Sequence, residues 1–211
     1  MTSLATLLAL ADSRLPTGAH VHSGGVEEAV SSGLVTSLGT LEAFLIRRIR
    51  TNGLVTASLA VAVQRGDLST TDADRETDAR TASPGARDAS RKQGRGLARL
   101  ARLVWPDPVW EALGRQPHLA VAAGRVGALS GLPAEHNALH IVYTTMTGSA
   151  TAAQRLLALD PAEVAALTIR LAGLCESTAA EATRGLADLS DPLLDTLAQQ
   201  HAQRERPLFV S

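Results

Sequence analysis

The sequence predicts an all-α fold, a single-domain helical bundle of about seven to ten helices spanning residues 1–211. Apolar residues recur at helical spacing along most of the chain, and short β-branched runs such as 141–143 lie inside longer helical patterns. Asp-Pro pairs at 160–161 and 191–192 are typical of helix starts. A chain of 211 residues suits one hydrophobic core.

The elements follow from apolar spacing and from helix-start and helix-stop residues. Gly33 should end the second helix, and Trp105-Pro106 should end the helix that begins near residues 84–88. Asp160, Pro161 and Glu163 together resemble a capping box. The predicted helices are a short one from Leu4, 26–32, 41–63, one from about 84–88 to Trp105, 133–159, 161–184 and 191–201.

Residues 66–83 form the one segment for which the sequence predicts a mobile loop. The segment mixes both charge signs with Ser, Thr and Gly and contains few large apolar residues. Such a composition buries too little apolar surface to offset the entropy lost on ordering.

Composition limits the function classes. The net charge is −1 and the isoelectric point is about 6.6, which argues against a nucleic-acid or anionic-membrane partner. Cys175 is the single cysteine, so neither an internal disulfide nor a four-cysteine zinc site can form. No basic residue precedes the first apolar run and no apolar run reaches about 18 residues, so we expect a cytoplasmic location.

The stretch DSRLPTGAHVHSGGVEE at 12–28 interrupts the helical pattern and contains the first candidate site. His20 and His22 are two residues apart, so in extended backbone both side chains could face one metal ion. A histidine that bonds to nearby backbone is the simpler interpretation, because no other cluster supplies further ligands. A small helical metal-binding protein using this pair remains the alternative function.

Other catalytic and ligand-binding signatures are absent from the sequence. It contains neither a GxSxG elbow nor a P-loop. His136 and His140 lie on one helix face without the adjacent glutamate of a metalloprotease, which predicts two polar positions on a helix rim. GRVGALSG at 124–131 predicts close helix packing, and Cys175 predicts a buried, inert thiol. We therefore predict no catalytic residue and no cofactor.

The stretch from Asp12 resembles the N-terminal signature of the urease accessory protein UreF family, approximately D-S-x-L-P-T-G-G-F-x-H-S-x-G-L-E. ASRKQGRGLARL at 89–100 is similar to a second family segment through Ser90, Gly94 and Leu97, and Arg155 with Leu156 falls on a helix ending in A-x-R-L. RPLFVS, with Leu208 and Phe209, is similar to the family's terminus. The residues that match the first signature are Asp12, Ser13, Leu15, Pro16, Thr17, Gly18, His22, Ser23, Gly25 and Glu27.

The chain departs from the family pattern at three places. Ala19 and His20 replace a glycine and an aromatic residue. Residues 159–161 replace L-G-Q, and Val210 replaces the terminal arginine, with Pro207 before Leu208.

The resemblance implies an all-helical protein without catalytic activity that bridges UreD (also called UreH) and the GTPase UreG. That assembly delivers nickel to the urease apoprotein, and the resemblance also implies a homodimer within it. We expect His22, Ser23 and Glu27 to build the turn after the first helix. Pro16 fixes φ in this motif, which includes Thr17, and Gly18, Gly24 and Gly25 permit conformations that other residues resist. The apolar exit at Leu208-Phe209 should dock onto the protein's own body or onto a partner.

Overall fold

A computed structural model describes residues 4–12, 15, 22–189, 191–205 and 207–209. These ranges contain eleven α-helices and no strand, which confirms the all-α prediction. A π-helical turn at Ile49–Gly53 and a 3₁₀ helix at Pro108–Leu113 complete the elements. The α-helices are α1 Leu4–Leu10, α2 Val26–Ser31, α3 Leu38–Arg48, α4 Leu54–Arg65, α5 Thr70–Arg80, α6 Pro84–Val104, α7 Leu119–Ser130, α8 Ala134–Leu157, α9 Pro161–Arg170, α10 Ala172–Ala182 and α11 Pro192–Ala202.

Two helices organise the core. α8, the longest helix, packs against α1, α2, α3, α4, α7, α9 and α10. α4 is almost wholly apolar and buries most of its residues, including Leu59 and Val63. Leucine, valine and alanine fill most of the interior, because the chain has only five aromatic residues.

Gly124 lets α7 approach α4 closely. A Cβ atom at this position would lie 2.6 Å from the Ala60 carbonyl oxygen and from Val63 Cβ. One turn later, a Cβ on Gly127 would overlap the side chains of Asn137 and Gln64. These contacts confirm the prediction of close helix packing for Gly124 and Gly127, whereas Gly131 ends α7 with a positive φ.

The long helix predicted over 41–63 extends from Leu38 to Arg65 and contains an irregularity. The π-helical turn at Ile49–Gly53 separates α3 from α4 without breaking the helical path. The turn adds one residue to a helical turn, and such insertions are concentrated at functional sites. Arg48 and Thr51 at this turn face the N-terminal motif and α11, respectively.

The predicted mobile loop at 66–83 is wrong. Residues Thr70–Arg80 form α5, which begins at an N-cap where Ser69 accepts a hydrogen bond from the Asp72 backbone N–H at 3.0 Å. Ala73 and Thr77 face inward and are buried. The segment has the polar composition of a disordered loop because α5 is held to its neighbours mainly by polar contacts, and these depend on residues elsewhere in the sequence.

A polar network ties α5 to α6 and α7. Arg91 on α6 forms ion pairs with Asp74 at 2.9 Å and Asp78 at 2.8 Å. The fully buried His118 ring lies 2.9 Å from Asp78 Oδ1 and 3.0 Å from Ser90 Oγ. Burial lowers the pKa of His118 although its contact with Asp78 opposes this. Burial alone would raise the pKa of Asp78, but its bonds with His118 and Arg91 hold that pKa below the usual value.

Ser90 and Gly94, which carry the second family resemblance, both serve the α6–α7 contact. Ser90 Oγ accepts a hydrogen bond from the Leu119 backbone N–H at 3.2 Å. A Cβ on Gly94 would overlap the backbone of Pro117 and His118. Both residues therefore fix the position where α7 begins.

Both Asp-Pro helix starts are confirmed. Asp160 accepts a hydrogen bond from the Ala162 N–H at 2.8 Å, and Asp191 accepts from the Leu193 N–H at 3.1 Å. The helix predicted over 161–184 differs, because it divides at Leu171 into α9 and α10.

Ala158 ends α8 with φ of 50°, the only positive φ at a non-glycine position in the described ranges. An L-residue with a Cβ atom is strained in this left-handed conformation. We expect Ala158→Gly to stabilise the protein by about 0.5–1 kcal/mol, as measured by thermal or urea unfolding. Ala162→Gly, in the first turn of α9 with right-handed helical backbone, is the control and should destabilise it. A decrease in stability for Ala158→Gly would contradict the expectation.

Candidate functional site

The N-terminal motif forms a glycine turn that leads into α2. Pro16, Thr17, Gly18 and His20 lie outside the described residues. His22 and Ser23 are buried, and Gly24 and Gly25 follow with φ of 64° and 88°. Both glycines occupy the left-handed region that disfavours other residues, so the predicted turn is present at 22–27.

Ser23 connects this turn to α2 and α8. Its Oγ accepts a hydrogen bond from the Glu27 backbone N–H at 3.4 Å, at the start of α2. Its carbonyl oxygen accepts one from Ser149 Oγ on α8 at 3.0 Å. The turn is thus anchored to the central helix through a buried serine on each side.

Arg48 packs against the glycine turn from α3. Its guanidinium donates a hydrogen bond to the Gly24 carbonyl oxygen, and a Cβ on Gly24 would lie 2.6 Å from the guanidinium carbon. Burial lowers the pKa of Arg48 to about 10, although the nearby Asp191 carboxylate opposes this. Gly24 is therefore required both by its φ and by the arginine that lies over it.

Glu27 joins the N-terminal motif to the C-terminal tail. Its carboxylate is buried, and it accepts hydrogen bonds from the backbone N–H groups of Leu208 at 2.8 Å and Phe209 at 3.0 Å. Its position in the first turn of α2 confirms the predicted placement. We define the tail clamp as Glu27 with His201 and Arg204, the two residues that support the same contact.

His201 and Arg204 complete the tail clamp. His201 Nε2 donates to the Phe209 carbonyl oxygen at 3.2 Å, and its Nδ1 lies 3.5 Å from Glu27 Oε2. Arg204 forms an ion pair with Glu28 at 2.7 Å, while its Nε lies 3.9 Å from Glu27 Oε1. The tail is therefore held by the buried Glu27 of α2 and the buried His201 of α11, and the partly exposed Arg204, just beyond α11, lies beside them.

The apolar exit docks onto the protein's own body, one of the two outcomes expected from the sequence. The Phe209 side chain is partly buried against the core. Leu208 points outward and is 79% exposed. The clamp thus fixes the tail backbone while presenting one apolar side chain at the surface.

Asp191 fastens the start of α11 to α3 beside this site. It accepts two hydrogen bonds from Arg47, at 2.6 and 2.7 Å, and one from Thr51 at 3.3 Å. Although burial alone would raise it, the contact with Arg47 holds the pKa of Asp191 below its usual value. The bidentate pair therefore positions α11, which carries His201.

A cavity of about 560 Å³ lies beside the motif turn. His22 and Gly24 border it on one side, and Ser149 and Arg155 border it from α8. Arg155 is exposed and belongs to the surface around the cavity. The structure therefore brings Arg155 to the same region as His22, whereas Leu208 and Phe209 reach the site through the tail clamp.

The other candidate groups lie apart from this site or are buried in the core. His136 is exposed, but His140 is only 6% exposed, so the prediction of two rim histidines is wrong for His140. Cys175 is buried as predicted, and burial raises the pKa of its thiol to about 11. In the described part of the chain, no three His, Cys, Asp or Glu side chains come together as metal ligands. None of the helices within those ranges is long and apolar enough to cross a membrane.

Sequence reasoning missed Arg48, His201 and Arg204. Their partners Gly24, Glu27 and Glu28 lie far away in the sequence, so no local pattern indicates the contacts. Two local signals were present in the sequence. The paired glycines indicated a turn and the apolar terminus indicated docking, but neither indicated that the two regions contact each other.

Removing the Glu27 carboxylate should release the tail. We expect Glu27→Ala to lower the free energy of unfolding by about 2 kcal/mol, because it leaves the N–H groups of Leu208 and Phe209 without their charged acceptor. Urea unfolding measures this loss, and limited proteolysis should show faster cleavage near residues 205–209.

The matched control is Glu176→Ala, which removes an exposed glutamate and should change neither measurement. In a chain lacking residues 207–211, Glu27→Ala should lower the free energy of unfolding by clearly less than in the full chain, because the N–H groups of Leu208 and Phe209 are already absent. An equal cost in both backgrounds would contradict the clamp.

Known proteins resemble this chain both over its central part and over its full length. A family model described as UreF matches residues 35–172. Proteins named urease accessory protein UreF from Mycobacterium marinum and Mycobacterium tuberculosis are 76% and 75% identical over 211 residues, covering all of both chains. One from Mycolicibacterium vanbaalenii is 71% identical over 214 residues, again with full coverage. The family match begins after the glycine turn, whereas these relatives align with the motif and the tail as well.

Proposed function

Because the chain belongs to the urease accessory protein UreF family, we propose that it is a non-enzymatic scaffold for the maturation of urease. In this proposal it bridges UreD (UreH) and the GTPase UreG, and the assembly inserts nickel into the urease apoprotein. The nickel ion is the cargo of that assembly. Within it the chain acts as a homodimer.

The observation that carries the proposal is similarity over the full length to proteins named urease accessory protein UreF. The geometry supports a scaffold, because the contacts of Ser23 and Glu27 fix the shape of the surface around the turn and the tail. Hydrogen bonds fix the glycine turn to α8 and the tail to α2. Such a surface is preorganised, which lowers the entropy cost of docking a partner.

Leu208 and Arg155 are the residues at this site that we propose contact a partner. Leu208 is exposed although the tail backbone beside it is fixed, and Arg155 is exposed beside the cavity. An apolar side chain on an ordered backbone is typical of an interface anchor.

Affinity capture from cells that co-express UreD, UreG and the urease apoprotein tests the proposal. The tagged chain should retain UreD and UreG, and Leu208→Asp should weaken that retention. Ile169→Asp is the control, because Ile169 is equally exposed but lies on α9. Failure of the wild-type chain to retain either protein would contradict the proposed function.

Calorimetric titration with nickel and zinc separates the scaffold from the alternative use of His20 and His22 as metal ligands. A scaffold should bind neither ion stoichiometrically by itself. Stoichiometric binding that disappears in His20→Ala or His22→Ala would favour the metal-binding alternative.

A further inference from the structure

One exposed face of α6 is strongly basic. Lys92, Arg95, Arg99 and Arg102 are all exposed, and we call these four residues the basic stripe. Their spacing of three and four residues places them on one side of the helix, over a length of about 15 Å. The whole chain has a net charge of −1, so this face differs sharply from the average surface.

The charge of the basic stripe is largely uncompensated. Among the described residues, Arg95 and Arg99 form no ion pair, and Arg102 donates only to the Trp110 carbonyl oxygen at 3.2 Å. Lys92 pairs with Asp88 at 2.7 Å, but both side chains are more than half exposed. In contrast, Arg91 on the neighbouring face is bound by two aspartates.

The C-terminal end of the stripe carries exposed apolar side chains. Leu103 is 80% exposed and continues the face of the stripe, and Val104 is 55% exposed. The notable pattern is the combination of cations with an apolar residue at one end, since isolated exposed leucines are common. Apolar contact beside charged groups is typical of a protein interface.

We propose that the basic stripe, together with Leu103, docks onto an acidic surface of another protein in the urease maturation assembly. This inference rests on the proposed function and assigns a second contact surface, on a helix other than those that carry the tail clamp. Four cations in a row complement a row of carboxylates, which accelerates association and selects the partner.

The structure favours a protein over a lipid surface or a nucleic acid as the occupant. A helix that binds membranes inserts its apolar face into the bilayer, but α6 has already buried Leu97, Ala98 and Ala101 against the protein core. Nucleic-acid sites combine a broad basic field with aromatic groups, whereas this chain is slightly acidic overall and the stripe has no aromatic residue.

The test measures capture of purified UreD, UreG and urease apoprotein by the wild-type chain, by Arg95→Gln/Arg99→Gln and by a matched control. The control Arg170→Gln/Arg184→Gln removes two exposed arginines outside the stripe. We expect the stripe variant to bind one partner about tenfold more weakly, and the control to bind normally. Raising NaCl from about 50 to about 300 mM should weaken the wild-type chain more than the stripe variant.

The outcomes separate this inference from the proposed function. If the wild-type chain assembles and the stripe variant assembles equally well, the inference is wrong and the scaffold function stands. If the wild-type chain captures no partner, the proposed function fails, and the inference fails with it. Phosphatidylserine vesicles and duplex DNA are included as probes, and binding to either that is lost in the stripe variant would also overturn the inference. Equal circular dichroism spectra establish that the variants are folded.

Discussion

Replacing Gly124 by alanine is expected to destabilise the protein by about 3 kcal/mol. The added methyl group would lie 2.6 Å from the Ala60 carbonyl oxygen, so the backbones of α4 and α7 must move apart. That contact is central to the core, and the tightly packed interior has little room to adjust. Urea unfolding followed by circular dichroism measures the loss.

Gly148→Ala on α8 is the control for this substitution. Among the described residues, no heavy atom outside the local helix backbone lies within 4 Å of a Cβ at Gly148, and alanine favours a helix interior by about 0.5–1 kcal/mol. The control should therefore be neutral or stabilising. A Gly124→Ala protein as stable as the control would show that α4 and α7 do not need their close approach.

Acidification from pH 6.5 to about 4 is expected to remove stability through His140. Burial lowers the pKa of His140 to about 4, although its hydrogen bond to the Asn137 carbonyl oxygen opposes this. The unfolded chain therefore takes up a proton at a higher pH than the folded chain. Neutral His140 thus contributes about 3 kcal/mol to the free energy of unfolding. This contribution is present in full above pH 6.5 and is lost as the pH falls towards 4.

His140→Asn tests this expectation, because asparagine does not titrate and offers an N–H near the position of Nδ1. The free energy of unfolding should depend less on pH between 4 and 6.5 than it does in the wild-type protein. Some dependence should remain, because the pKa of His118 is lowered too. His136→Asn should leave the dependence unchanged, since His136 is exposed, and an unchanged slope in His140→Asn would refute the assignment.

The sequence predicted those features whose cause is local. Asp160 and Asp191 precede prolines and cap the helices that follow, because a cap depends only on neighbouring N–H groups. The glycine turn was likewise predictable, since Gly24 and Gly25 adopt backbone angles that few other residues tolerate. Helical periodicity was sufficient for the fold class.

Features that depend on distant partners were not predictable. α5 has the composition of a solvated loop, yet Asp74 and Asp78 meet Arg91 and His118 from other helices. The spacing of His136 and His140 predicts that the two residues share a face of the helix. It does not predict how deeply each one is buried, so the burial of His140 was missed. The contact of Glu27 with Leu208 and Phe209 likewise joins the two ends of the described chain.

The π-helical turn at Ile49–Gly53 sets the rotational phase of α3 relative to α4. If the same residues wound as a regular α-helix, α3 would turn by about 100° relative to α4, because each residue turns an α-helix by that angle. Arg48 would then rotate away from Gly24, and Arg47 would rotate away from Asp191. Both contacts of α3, to the motif turn and to α11, therefore depend on this wide turn.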